Sequence, residues 1–202
     1  MTNRRDFLQA ATLTAGGLAT TARGAPVATR ASTAQRPLAL HAVLVEEGSP
    51  QARAFGARLA ARESTRVLTV PAGDVTSLWL QQIGPAWRRH PVAIAGLTSR
   101  PALFCLEQLS AFSGLRVLFH AEHIVLPGGR TEHQVLRGER IAGLSASKLH
   151  RLGPLWPGRL ADAVAMHRAS GVRERAGPSV AALEPSMPDG ATLLTSWIIA
   201  PA

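Results

Sequence analysis

Between residues 38 and 119 the chain alternates short apolar runs with segments of helical periodicity, and that alternation defines its elements. Residues 38–47 (LALHAVLVEE) form a near-continuous apolar run of the kind a strand buried on both faces shows. Gly48-Ser49-Pro50 ends it, where Ser49 suits a helix N-cap and Pro50 the first helical turn. Residues 51–63 then set Ala54, Phe55, Leu59 and Ala60 along one helical stripe. A second strand is predicted over 65–70 (TRVLTV), followed by a loop closing on Asp74 as a cap. A helix over 75–90 bears Leu78, Trp79, Gln82 and Ile83 and is interrupted near Gly84-Pro85. A third strand at 91–97 (PVAIAGL) leads through Thr98-Ser99-Arg100-Pro101 into a third helix. That helix carries Leu103, Leu106, Leu109 and Phe112 on its inner side and stops at Ser113-Gly114. Residues 115–119 (LRVLF) predict a fourth strand.

After His120 the rhythm changes. Pro127-Gly128-Gly129-Arg130 is a turn signal between HIVL (123–126) and HQVLR (133–137), which predicts a hairpin. Helices follow over 141–152 and 156–169, the latter with Leu160, Val164 and His167 on a stripe; residues 171–190 read as loop and 191–200 (ATLLTSWIIA) as a closing strand. Strands alternating with helices predict a single three-layer α/β domain over residues 38–202, Rossmann-like or flavodoxin-like. Its sheet is expected to be mostly parallel, with four strands joined by right-handed crossovers, a hairpin and a C-terminal strand.

Composition narrows the classes. With 202 residues, 46% hydrophobic and 17% charged, the chain suits one ordinary globular core and is neither collagenous, coiled-coil nor disordered throughout. No uncharged, strongly apolar stretch reaches the ~18 residues a bilayer-spanning helix needs, so no permanent membrane span is expected. Cys105 is the only cysteine, so no intramolecular disulfide forms, and its apolar setting (PALFCLEQL) predicts a buried, inert thiol.

The N-terminus carries the most specific motif. Arg4 and Arg5 precede Asp6-Phe7-Leu8 and a mild apolar run, residues 10–22, diluted by Gly and Thr and followed by Arg23. This resembles a twin-arginine (Tat) export signal, with Asn3 and Gln9 departing from the residues usual at their positions. The resemblance covers residues 1–25 and implies the Tat translocase as a partner, a periplasmic destination and export in the folded state. Folded export admits a cofactor without naming one. Residues 26–37 (PVATRASTAQRP) read as a flexible linker to the domain.

The formal net charge is +9, almost all of it from Arg, since Lys148 is the sole lysine. The charges are scattered, without the clustering or aromatic interleaving of a nucleic-acid binder, so no nucleic-acid partner is expected. Affinity for small anions or an acidic surface fits better.

In open α/β sheets ligands bind beyond the carboxyl ends of the strands. The loops there hold Glu46, Glu47 and Ser49, then Asp74, then Thr98, Ser99 and Arg100, then His120 with Glu122 and His123. Glu46, Ser49, Thr98, Ser99, Arg100 and His120 are the expected ligand-binding residues. A Gly-containing turn running from Gly96 into a helix start offers free amides to a carboxylate or phosphate, although plain capping accounts for the same residue types. His120, His123 and His133 could supply a three-imidazole metal site if the hairpin folds back on itself. Glu46 or Glu47 with His41 or His120 could divide acid and base roles. Neither a dinucleotide fingerprint, a phosphate-binding P-loop nor a G-x-S-x-G nucleophile elbow is present. The expected function is therefore a periplasmic accessory or binding protein that holds a small polar or anionic ligand or docks on a partner. The alternative is a metal- or cofactor-dependent hydrolase or oxidoreductase component.

Overall fold

The computed structural model describes residues 38–138, 144–166 and 187–201. The predicted export signal, the linker and most of the predicted 171–190 loop, together with His167, lie outside the described residues. The protein is α/β, built on a six-stranded mixed sheet in the order β2-β1-β3-β6-β4-β5. β1 (Leu40–Glu46) lies parallel to β2 (Arg66–Val70) on one side and to β3 (Ala93–Thr98) on the other. β6 (Thr192–Pro201) runs antiparallel to both β3 and β4 (Leu115–Val125), and β5 (Thr131–Arg137) closes the far edge as a hairpin with β4. The first four strands do point the same way, as expected, but the closing strand enters between β3 and β4. Only two neighbouring pairs are thus parallel, and the sheet is mixed rather than mostly parallel.

Helices cover both faces. On the first, α1 (Pro50–Glu63), α5 (Ala146–Arg151) and α6 (Trp156–Ala165) pack Phe55, Leu59, Leu149 and Leu160 over Val43, Val45, Phe119 and Ile198. On the second, Thr76–Leu78 (α2), a π-helical turn at Trp79–Ile83 and Gly84–Arg89 (α3) pack with α4 (Arg100–Ala111) over Leu44, Ile94, Val117 and Trp197. The predicted interruption at Gly84-Pro85 is this π turn: Pro85 donates no amide, and the ladder widens before it.

Three side chains differ from the helical stripes expected. Ala54 faces solvent while Ala52 and Gly56 are buried beside Phe55, because α1 rests on the sheet through its 52–55–56–59 face. Phe112 is 91% exposed, since α4 ends at Ala111 and the chain turns away before it. Cys105 is exposed as well, on the outer side of α4 between buried Leu103 and Leu106.

β4 departs most from expectation. It runs six residues past Phe119, so His120, Glu122 and His123 are strand residues rather than a loop beyond the sheet. Its register against β6 slips between Val117 and Phe119, where Leu118 is the extra residue of a bulge. The slip reverses the alternation: Leu115 and Val117 face α4, whereas Phe119 and Ala121 face α6. Everything beyond Leu118 is thereby aimed at the face opposite to the one simple alternation would give it.

Candidate functional site

The carboxyl ends of β1 and β3 lie side by side, and the helices that follow them leave for opposite faces, α1 to the first and α4 to the second. In open α/β sheets such a divergence is where the ligand crevice lies. Glu46, the last residue of β1, reaches across it, and its Oε2 accepts a hydrogen bond from the Ser99 amide at 2.7 Å. Ser99 is the N-cap of α4 but makes no cap bond with its own side chain, so Glu46 supplies the carboxylate that the helix start favours. The Ser99 hydroxyl is buried without a partner. It faces Gly73 so closely that a Cβ there would lie 2.6 Å from it, on a backbone already at φ +77°.

A row of polar groups continues from this point across the second face. Thr98 is paired with Thr195 across β3 and β6, and Thr195 with Glu122 across β6 and β4, so the three side chains share one line under the first turn of α4. All three are buried. Thr98 Oγ1 accepts from Trp197 Nε1 at 3.0 Å and donates to the Ser99 carbonyl. Glu122 Oε1 stands 3.6 Å from Arg100 Nε, an ion pair without a formed hydrogen bond, and Thr195 Oγ1 has no partner. One residue row deeper, His120 lies opposite Trp197 with its Nε2 buried and unpartnered. Desolvation, then the charges of Arg100 and Arg137, push its pKa down to about 4, so the ring is neutral at physiological pH.

Five of the six expected ligand-binding residues therefore gather at or beside the crevice: Glu46, Thr98, Ser99, Arg100 and His120. Ser49 does not join them; its hydroxyl accepts from the Ala52 amide and caps α1. The amide expected to receive an anionic ligand is taken by Glu46. Glu122 Oε1, Ser99 Oγ and Thr195 Oγ1 are left without hydrogen-bond partners, so the free capacity of this row is for a hydrogen-bond donor.

The three expected metal-ligating imidazoles are split by the alternation of β4, since His120 and His123 are three residues apart on one strand. His120 faces α4, whereas His123 is buried on the other face, stacked on Trp156 with ring centroids 4.3 Å apart. His123 and His133 do meet, Nδ1 to Nδ1 at 2.8 Å, and His123 Nε2 is 2.7 Å from Ser196 Oγ. Both nitrogens of His123 are thus engaged with protein, and neither is left for a metal. Among the described residues no group of three or more His, Cys, Asp or Glu side chains is arranged to hold a metal ion. Beside this pair, β5 and α5 enclose an open cavity of about 490 Å3. Glu122, Thr195, Ser196, His150 and Arg151 were not among the expected binding residues, and all but Glu122 carry no local signal, because only the insertion of β6 and the docking of α5 bring them to these places.

No family model matches the chain, and neither a curated protein nor a solved structure matches it. No helix among the described residues is long and apolar enough to cross a membrane. Its chemistry has to be argued from the two polar clusters themselves.

Proposed function

We propose that the protein is a periplasmic accessory or binding protein, exported folded through the Tat pathway, with a Rossmann-like domain whose β1–β3–α4 crevice holds a small polar ligand. The observation that carries this reading is the set of buried polar atoms without partners around one helix start: Ser99 Oγ, Thr195 Oγ1 and Glu122 Oε1. Buried polar groups are almost always hydrogen-bonded, and leaving one unmet costs about 1–3 kcal/mol. A ligand that brings donors would satisfy the carboxylate and both hydroxyls together. The unpartnered carboxylate and hydroxyl oxygens select a ligand with amine or hydroxyl groups.

Native mass spectrometry on the protein isolated from its own host tests this. The expected result is an added small-molecule mass that is absent from the Glu122→Gln and Thr195→Val variants. A bare polypeptide mass for the parent protein, or an added mass retained unchanged in both variants, overturns the crevice reading. Replacing Arg4 and Arg5 by lysine tests export separately, and the precursor is then expected to stay in the cytoplasm at full length.

A further inference from the structure

The opposite face of the sheet carries a second, independent arrangement. Ser196, His123 and His133 form a continuous chain of contacts from the buried interior to the cavity beside α5. The Ser196 hydroxyl lies 3.5 Å from the Ala121 carbonyl, His123 Nε2 2.7 Å from Ser196 Oγ, and His133 Nδ1 2.8 Å from His123 Nδ1. Only one set of proton positions makes all of these hydrogen bonds at once. Ser196 has one proton and gives it to the Ala121 carbonyl, so it accepts from His123 Nε2–H. The His123 Nδ1 is then bare and accepts from His133 Nδ1–H. The far nitrogen of His133, Nε2, is left as an acceptor on the cavity side.

The rings cannot easily turn out of this arrangement. Trp156 is buried, stacks on His123 and meets His133 edge-on at 5.1 Å. Burial, and for His133 the nearby His150, hold both imidazoles neutral, which the chain requires.

The cavity in front of His133 is lined by Glu132, Ala146, Ser147, His150 and Arg151. Glu132 is paired with Arg130 at 3.0 Å, so its charge is met from the hairpin. Arg151 makes no ion pair or side-chain hydrogen bond among the described residues. The lining of this open recess therefore combines a positive group, a hydroxyl and an oriented acceptor.

We propose that this cavity binds a small oxyanion that carries its own hydroxyl, inorganic hydrogen phosphate, with the charge facing Arg151 and the P–OH donating to His133 Nε2. The acceptor at the end of the chain gives the site its selectivity. Sulfate has the same shape and a similar charge but no proton to donate at neutral pH. Its oxygens would meet the bare Nε2 lone pair to lone pair.

Isothermal titration at neutral pH with inorganic phosphate, and with sulfate as the isosteric control, tests the proposal. Phosphate is expected to bind at least roughly tenfold more tightly than sulfate, the worth of one charge-assisted hydrogen bond. Arg151→Gln should weaken phosphate binding, and His133→Phe should remove the preference between the ions. A glycerol phosphate arm tests the donor: with its second pKa at about 6 the monoester has mostly lost its P–OH at neutral pH, so it is expected to bind more weakly than inorganic phosphate, and equal or tighter binding overturns the proposal. Because His133 packs against Trp156, the 15N shift of its Nε2 in the unaltered protein provides a readout that survives a misfolded variant. An unprotonated, acceptor-type nitrogen is expected. A protonated Nε2, equal affinity for the two ions, or failure of both probes to bind at millimolar concentration overturns the proposal. None of these outcomes bears on the crevice on the other face.

Discussion

Thr98 joins three elements through one hydroxyl, because it ends β3, accepts from the Trp197 indole of β6 and donates to the Ser99 carbonyl at the start of α4. Thr98→Val keeps the shape and strands a buried N–H. Urea unfolding is expected to show a loss of about 1–3 kcal/mol, whereas Thr98→Ser should cost less than half of that. The buried histidines predict a pH dependence of known sign. His120 and His133 both have folded pKa values lowered to about 4 from 6.5, chiefly by desolvation, so the unfolded chain binds more protons between those values. Their contribution to stability is therefore full above pH 6.5 and falls as the pH drops towards about 4. His120 alone would contribute roughly 3 kcal/mol of that loss, and the more exposed His133 less. Melting temperatures measured from pH 7.5 to 4 check this; a flat profile would show that these rings are not buried neutral. At this scale the sequence was partly legible. Glu46, Ser99 and Arg100 could be named because they sit at strand and helix ends, which local patterns mark. Thr195 and Ser196 could not, since each looks like an ordinary strand residue until its cross-strand neighbours are known.

The bulge in β4 decides which helix each later side chain of that strand meets. Were Leu118 a regular strand residue rather than the extra one, the alternation set by Leu115 and Val117 would carry His123 to the α4 face and Glu122 to the α6 face, exchanging a buried carboxylate with a stacked imidazole. Deleting Leu118 makes Val117 and Phe119 consecutive partners of Ile199 and Ile198, so the native near-UV circular dichroism is expected to persist, and Leu118→Ala, which keeps the bulge, should leave a cooperative melt at a reduced midpoint. A deletion variant that loses the parent spectrum would show that β4 does not keep its pairing with β6 once the extra residue is gone. Elements with their own periodicity were legible: β1, α1, β3, α4 and the hairpin turn fall within a few residues of where the pattern puts them. β4 was read too short because His120, Glu122 and His123 look polar in isolation. Their burial is made possible by the partners His133, Ser196, Trp156 and Arg100, contributed by other segments.

At the level of the whole molecule, β6 is what makes one sheet out of two. Among the described residues it is the only strand that touches both the parallel trio β2-β1-β3 and the β4-β5 hairpin. It also buries Trp197 against Gly96, where a Cβ would run into the indole, and Ile198 and Ile199 against opposite helical layers. The sequence marked this segment as a strand but held no information on its slot, because pairing between the third and final strands is a contact about 100 residues apart and leaves no local trace. Both polar clusters depend on it, the crevice through Thr195 and the imidazole chain through Ser196. A chain ending at Gly190 would leave the inner edges of β3 and β4 unpaired, with the apolar side chains of β3, β4, α4 and α6 facing water. Such a chain is expected to lose cooperative unfolding altogether rather than to melt at a lower temperature, since neither half retains enough buried surface to stand alone. Hydrogen exchange gives the check residue by residue. Loss of protection across β1 and β3 together with β4 and β5 means one folding unit keyed by its last strand. Protection persisting in β2-β1-β3 would instead identify that trio with α1 as a stable subdomain.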